Sequence, residues 1–278
     1  MQTTVIERHP PLDRTVCVVT GAAGGIGAAI ADHLLGLGAR VAFLDLPASL
    51  SAMQPHQEVA AGRTVAVGCD VTDHSSVEDA AARVLADLGP CEVLVNNAGV
   101  LAPHESLVEM DLAQWDRSMD INLRGPLLCM RAFGHHMLAR KAGIIINIAS
   151  IAGHKPNASP SYSVSKAGLL ALTRHAAVEW GPRGIRTNSV SPGFIRTPLS
   201  AGHYSSSEKT QDRINAVPLR RLGSVEDVAS AVAFLASAAS SFVNGQDLVV
   251  DGGFLETVLM HAQPKADQYG GFFNHPST

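Results

Sequence analysis

The chain reads as an α/β protein built on one doubly wound sheet of seven parallel strands, with helices on both faces. Three observations say so. Short apolar runs alternate with helical patterns from residue 16 to residue 250. The runs are apolar at consecutive positions rather than at every second one, as expected where helices cover both faces of a sheet. A content of 25 glycines in 278 residues suits many tight strand-to-helix turns.

The expected strands are Val16–Thr20, Val41–Asp45, Thr64–Cys69, Val93–Asn96, Ile144–Ile148, Thr187–Val190 and Asp247–Val250. Between them fall helices at about 25–37, 74–88, 111–140, 161–180 and 224–239. The link after the second strand contains Pro47 and Pro55, so a helix there must be short or interrupted. No internal repeat or interdomain linker is visible. The expected organisation is an N-terminal extension (1–14), one domain (15–253) and a C-terminal tail (254–278), with a polar excursion at 199–214 read as a substrate lid.

Composition excludes several functions. A net charge of −4 without a basic run leaves no footprint for nucleic acid. No run approaches the ~18 apolar residues of a membrane span. The start, MQTTVIERHPPLDR, lacks the apolar core of a secretion signal, so a cytoplasmic enzyme is expected. Cys17, Cys69, Cys91 and Cys129 form no CxxC pattern and read as reduced thiols. The 12 histidines show no metal-ligand spacing, and no metal is expected.

The stretch TGAAGGIG, Thr20–Gly27, follows the first strand and opens a helix. Gly21, Gly25 and Gly27 remove side chains where backbone amides must approach a phosphate, with Gly24 and Ile26 in the same turn. The helix adds its positive N-terminal end. A tight connection is the plainer alternative, and the spacing is not GxGxxG. Asp45 ends the second strand 18 residues past Gly27, near the ~20 of a ribose-reading acid. It would accept both adenosine ribose hydroxyls and repel a 2′-phosphate, so NAD is expected over NADP. Asp70 and Val71 after the third strand, and Asn97, Ala98 and Gly99 after the fourth, extend this Rossmann-type dinucleotide site along the carboxyl edge of the sheet.

A second feature is SYSVSKAG, Ser161–Gly168, which sets Tyr162 and Lys166 one helical turn apart. An ammonium beside a phenol favours the phenolate and suits proton transfer. Taken alone, the pair is better read as an ordinary amphipathic helix with an interfacial Tyr and a solvated Lys.

Together these segments resemble the short-chain dehydrogenase/reductase family from about Val16 to Gly253. TGAAGGIG is similar to its TGxxxGxG turn, NNAG to its fourth-strand motif, and YSVSK to its YxxxK. Asn122 in MDINLRG, Ser150 in IAS, SPGFIRTP and VDGG match further segments in order. Two departures stand out: the broken second helix, and Ser150 preceding Tyr162 by 12 residues, one fewer than is usual.

The resemblance implies hydride transfer between a carbinol carbon and a nicotinamide ring. Tyr162 would exchange the hydroxyl proton, its pKa lowered by Lys166 and the positive ring. Lys166 would also hold the nicotinamide ribose, and Ser150 would bond the substrate oxygen. Asn122 would anchor a water relaying protons from Lys166. After the sixth strand, Pro192 and Gly193 turn the chain near the ring, where Ile195 and Thr197 would hold the carboxamide.

A secondary alcohol, such as a polyol or cyclic alcohol, is the expected substrate, with Leu101, His154, Asn157 and Leu199 around it beside Ser150 and Tyr162. The rivals are an NADPH-dependent 3-oxoacyl-carrier ketoreductase and a non-catalytic NAD-binding sensor. The resemblance also implies a homotetramer or homodimer packed through the 111–140 and 161–180 helices, with Ala167, Ala171 and Ala176 exposed to permit close approach.

Overall fold

Seven strands lie parallel in the order β3-β2-β1-β4-β5-β6-β7, in a computed structural model that describes residues 12–53, 62–197 and 207–257. They are β1 (Val16–Thr20), β2 (Arg40–Asp45), β3 (Thr64–Gly68), β4 (Val93–Asn96), β5 (Gly143–Ile148), β6 (Ile185–Pro192) and β7 (Asp247–Val250). The chain winds outward from β1 to β3 and returns to place β4 against the other side of β1. The crevice at this reversal, above the carboxyl ends of β1 and β4, is where such sheets bind ligands.

The five inner strands divide their side chains between two cores. In β1, Val16 and Val18 join one core while Cys17 and Val19 join the other. The first core lies under α3 (His74–Leu88), α5 (Gly125–Arg140) and α6 (Pro160–Trp180), with Val77, Val84, Phe133, Met137 and Ala176 among its members. The second lies under α1 (Gly25–Gly36) and α8 (Val225–Ala236), where Ile30 and Leu34 meet Val228 and Val232. Burying each such side chain is worth about 1.5–3 kcal/mol.

Helix ends follow local chemistry. Asp73 caps α3 by accepting from Ser75 N and Ser76 N, and Ser224 with Asp227 forms a capping box on α8. Pro47 starts α2, which is only five residues long (Pro47–Ser51), short as expected, while Pro55 lies outside the described residues. The helix expected at 111–140 is divided: α4 (Leu112–Met119) passes through a π turn (Asp120–Arg124) into α5. In the turn the Gly125 amide bonds back to Asp120 O. Such turns inside helices favour functional sites.

Residues 207–214 of the expected lid lie in a helix, α7 (Ser207–Ala216). Residues 1–11, 198–206 and 258–278, which carry Leu199, most of the extension and most of the tail, lie outside the described residues. Ala176, expected at the surface, is 5% exposed and packs in the first core.

Candidate active site

A cleft of about 670 Å³ runs along the carboxyl edge of the sheet. Its first wall is the glycine turn. Gly21 takes φ +64, and a Cβ there would stand 2.8 Å from the Ala98 Cα. A Cβ at Gly27 would overlap the Gly21 carbonyl, so this residue lets the helix close on the turn. Gly24, in an extended conformation, precedes α1 with no side-chain cap, and no acidic residue occupies the first turn. Free first-turn amides thus face the cleft at Gly24, Gly25 and Ile26.

Asp45 closes this end. Its carboxylate accepts from Ala23 N at 2.9 Å and Leu46 N at 2.8 Å, which pins it over the turn. Thr20 and Asn97 tie β1 to β4: Thr20 Oγ1 accepts from the amides of Asn97 and Ala98, and Asn97 Nδ2 donates to the carbonyls of Thr20 and Gly21. Asp70 accepts from Thr72 N and Oγ1, shaping the turn after β3.

At the other end, Ser150, Tyr162 and Lys166 converge. Ser150 Oγ accepts from Ala152 N at 3.1 Å, and its hydroxyl stands near enough to the Tyr162 phenol to favour the ionised form. The missing residue between them is therefore absorbed by the loop. Lys166 lies 4% exposed, with Nζ donating to Ile148 O at 2.8 Å and standing 5.8 Å from the Tyr162 ring centroid. Burial lowers its pKa to about 8. Burial also raises the Tyr162 phenol, with the Ser150 hydroxyl acting in the opposite direction. In this structure, then, Lys166 is not the main influence on the phenol: desolvation outweighs it.

The family-model match settles what kind of protein this is: a model described as enoyl-(acyl carrier protein) reductase covers residues 21–255. The chain belongs to the short-chain dehydrogenase/reductase family. It is 44% identical to a cis-4-hydroxycyclohexanecarboxylate dehydrogenase of Sinomonas cyclohexanicum, over 86% of this chain and 96% of the relative. It is 40% identical to a D-threitol dehydrogenase of Mycolicibacterium smegmatis, over 87% and 94%. Among solved structures, a gluconate 5-dehydrogenase from Burkholderia cenocepacia in complex with NADP and tartrate superposes with a TM-score of 0.84 at 32% identity, covering 89% of this chain and 98% of that one.

Within this family member, nearly all the anticipated binding residues line the one cleft: Gly21, Gly24, Gly25, Ile26, Asp45, Asp70, Val71, Asn97, Ala98, Gly99, Ser150, Tyr162, Lys166, Pro192, Gly193, Ile195 and Thr197. Gly27 lies behind the turn. Asn122 is fully buried rather than facing the cleft. Its Oδ1 accepts from Val100 N at 2.8 Å, and its Nδ2 donates to Val100 O and Ser165 Oγ. Both amide hydrogens are thus spent on fixing the loop after β4 against α6.

His154 and Asn157 are not among the lining residues, contrary to expectation. The turn Ile151–Gly153 carries His154 away, where Nε2 meets Asp247 Oδ2 at 2.7 Å. Asn157 Oδ1 instead accepts from Ser159 N and Ser163 Oγ, bracing the start of α6.

Sequence reasoning missed Ser49, Arg117 and Ile121 in the lining. Leu46, Cys69 and Val100 were adjacent to anticipated residues, and contiguity alone could have found them. Ser49 and Arg117 reach the cleft only through tertiary packing.

Proposed function

We propose that this protein is a nicotinamide-dependent oxidoreductase that interconverts a secondary alcohol and its ketone. The observation that carries this reading is the shared cleft: Ser150, Tyr162 and Lys166 at one end, open helix amides and Asp45 at the other. The residues fit a dinucleotide. Gly21 and Gly24 leave backbone exposed where a phosphate would sit, and Asp45 stands at ribose-reading distance along the chain. When bound, the cofactor supplies the hydride acceptor or donor.

The chain's own residues do the proton chemistry. Tyr162 holds or accepts the proton of the substrate oxygen, and Ser150 donates to that oxygen as negative charge builds. Lys166, fixed by Ile148 O, would hold the nicotinamide ribose and supports the phenolate when charged. The raised phenol favours the protonated form at neutral pH, which suits ketone reduction and makes alcohol oxidation faster as pH climbs.

Asp45 supports a preference for NAD, since a carboxylate opposes a 2′-phosphate. The names of the relatives, a cyclic hydroxy acid dehydrogenase and a tetritol dehydrogenase, support a cyclic alcohol or polyol as substrate. Four buried free thiols support a reducing, cytoplasmic setting. An exposed apolar groove of Met119, Leu123, Leu127 and Leu172 supports assembly through α5 and α6.

The test is a panel of cyclic alcohols and polyols with NAD and NADP in parallel, read at the absorbance of the reduced cofactor. Turnover with NAD on at least one secondary alcohol is expected. Tight NAD binding with no turnover on any alcohol or ketone would instead indicate a sensor.

A further inference from the structure

Two cations line the cleft, Lys166 and Arg117. Lys166 is committed to Ile148 O. Arg117, near the end of α4, is exposed, and among the described residues no hydrogen bond or ion pair engages its side chain. Arg124, two turns on, is by contrast held by Asp120 and Thr72 O.

The run α4–π turn–α5 has two working sides. Ser118 and Asn122 face α6, meeting Ser161 Oγ at 3.4 Å and Ser165 Oγ at 3.2 Å. The other side meets the end of β3: a Cβ at Gly125 would stand 3.0 Å from Val71, and Ile121 lines the cleft. Arg117 lies one turn before Ile121 and lines the same cleft. It therefore belongs to the Asp70–Val71 end, away from Tyr162. Val71, Ala98 and Ile121 make that end apolar, which suits a flat heterocycle, whereas the open amides of α1 serve phosphate elsewhere in the cleft.

We propose that Arg117 is the outer wall of a purine site, presenting its planar guanidinium to the face of the adenine ring of the dinucleotide. The assignment rests on the dinucleotide reading above and adds a recognition residue to it. Stacking on a base depends little on ionic strength, whereas pairing with an exposed phosphate is screened by salt.

The experiment titrates ADP-ribose and nicotinamide mononucleotide into wild type, Arg117→Lys and Arg117→Leu by calorimetry, at low and high salt. The Leu variant should bind ADP-ribose roughly 3- to 30-fold more weakly at both salts. The Lys variant should fall between, because it keeps charge but not the plane, and nicotinamide mononucleotide should bind all three alike. An unchanged Kd for ADP-ribose in the Leu variant, a loss that vanishes at high salt, or an equal loss for the mononucleotide overturns the assignment. Wild type that binds no ADP-ribose overturns the dinucleotide reading, and this assignment falls with it.

Discussion

At the scale of single residues, the reaction end is governed by desolvation. Tyr162 and Lys166 are pushed toward their neutral forms by the same burial, up for the phenol and down to about 8 for the amine. For Lys166 this has a consequence for stability. Between about pH 8 and the ordinary lysine value of 10.5, the unfolded chain carries a proton that the folded one has shed. The stability of wild type relative to Lys166→Met should therefore rise as pH climbs through that window, by up to about 3 kcal/mol, and be lost as pH falls through 8. Denaturant melts of both proteins across pH 7 to 11 measure this directly. Parallel curves for the two would mean that Lys166 stays charged when folded.

Elements hold these residues in place, and the sheet edge is one example. Asp247, at the start of β7, accepts from Ser189 Oγ at 2.6 Å and Ser191 Oγ at 3.0 Å, and meets His154 at 2.7 Å. One carboxylate thus ties β7 to β6, next to Pro192 and Gly193 of the cleft wall, and to the turn that follows Ser150. Asp247→Ala should cost about 1–3 kcal/mol, since three donors lose their acceptor. It should also raise KM more than an equally destabilising change in α3, and a thermal melt with steady-state kinetics checks both.

The same scale explains what could be read in the sequence. Strands β1 and β4 match their apolar runs because both faces are buried. Strand β6 runs from Ile185 to Pro192, past the expected Thr187–Val190, because its polar members are satisfied by neighbours that sequence does not reveal. Arg186 donates to the carbonyls of Leu235, Ser237 and Val243, and Asn188 Nδ2 donates to Val243 O. The π turn at Asp120–Arg124 was equally hidden, because its hydrogen-bond shift has no residue signature. The glycine turn, Asp45 and the Ser150–Tyr162–Lys166 set were legible, since their chemistry resides in residue type and spacing. His154 and Asn157 misled because a polar loop residue does not disclose which way its turn will aim it.

For the whole molecule, the sheet order creates the site. The return from β3 to β4 opens a crevice above β1 and β4, and the two cores pack α1 and α8 on one face and α3, α5 and α6 on the other. This leaves the apolar groove of Leu123, Leu127 and Leu172 outside, with Leu127 41% exposed. If copies pair through it, Leu127→Glu should lower the sedimentation coefficient to that of a smaller species while leaving the fold intact by circular dichroism. An unchanged sedimentation coefficient would place any assembly on another face.

The central claim is that one phenol, lining the cleft beside Ser150, moves the proton of the alcohol. Tyr162→Phe keeps the ring and removes only that oxygen. The account predicts turnover reduced by roughly 10²- to 10⁴-fold, with dinucleotide Kd near that of wild type. Turnover within a few-fold of wild type would contradict it.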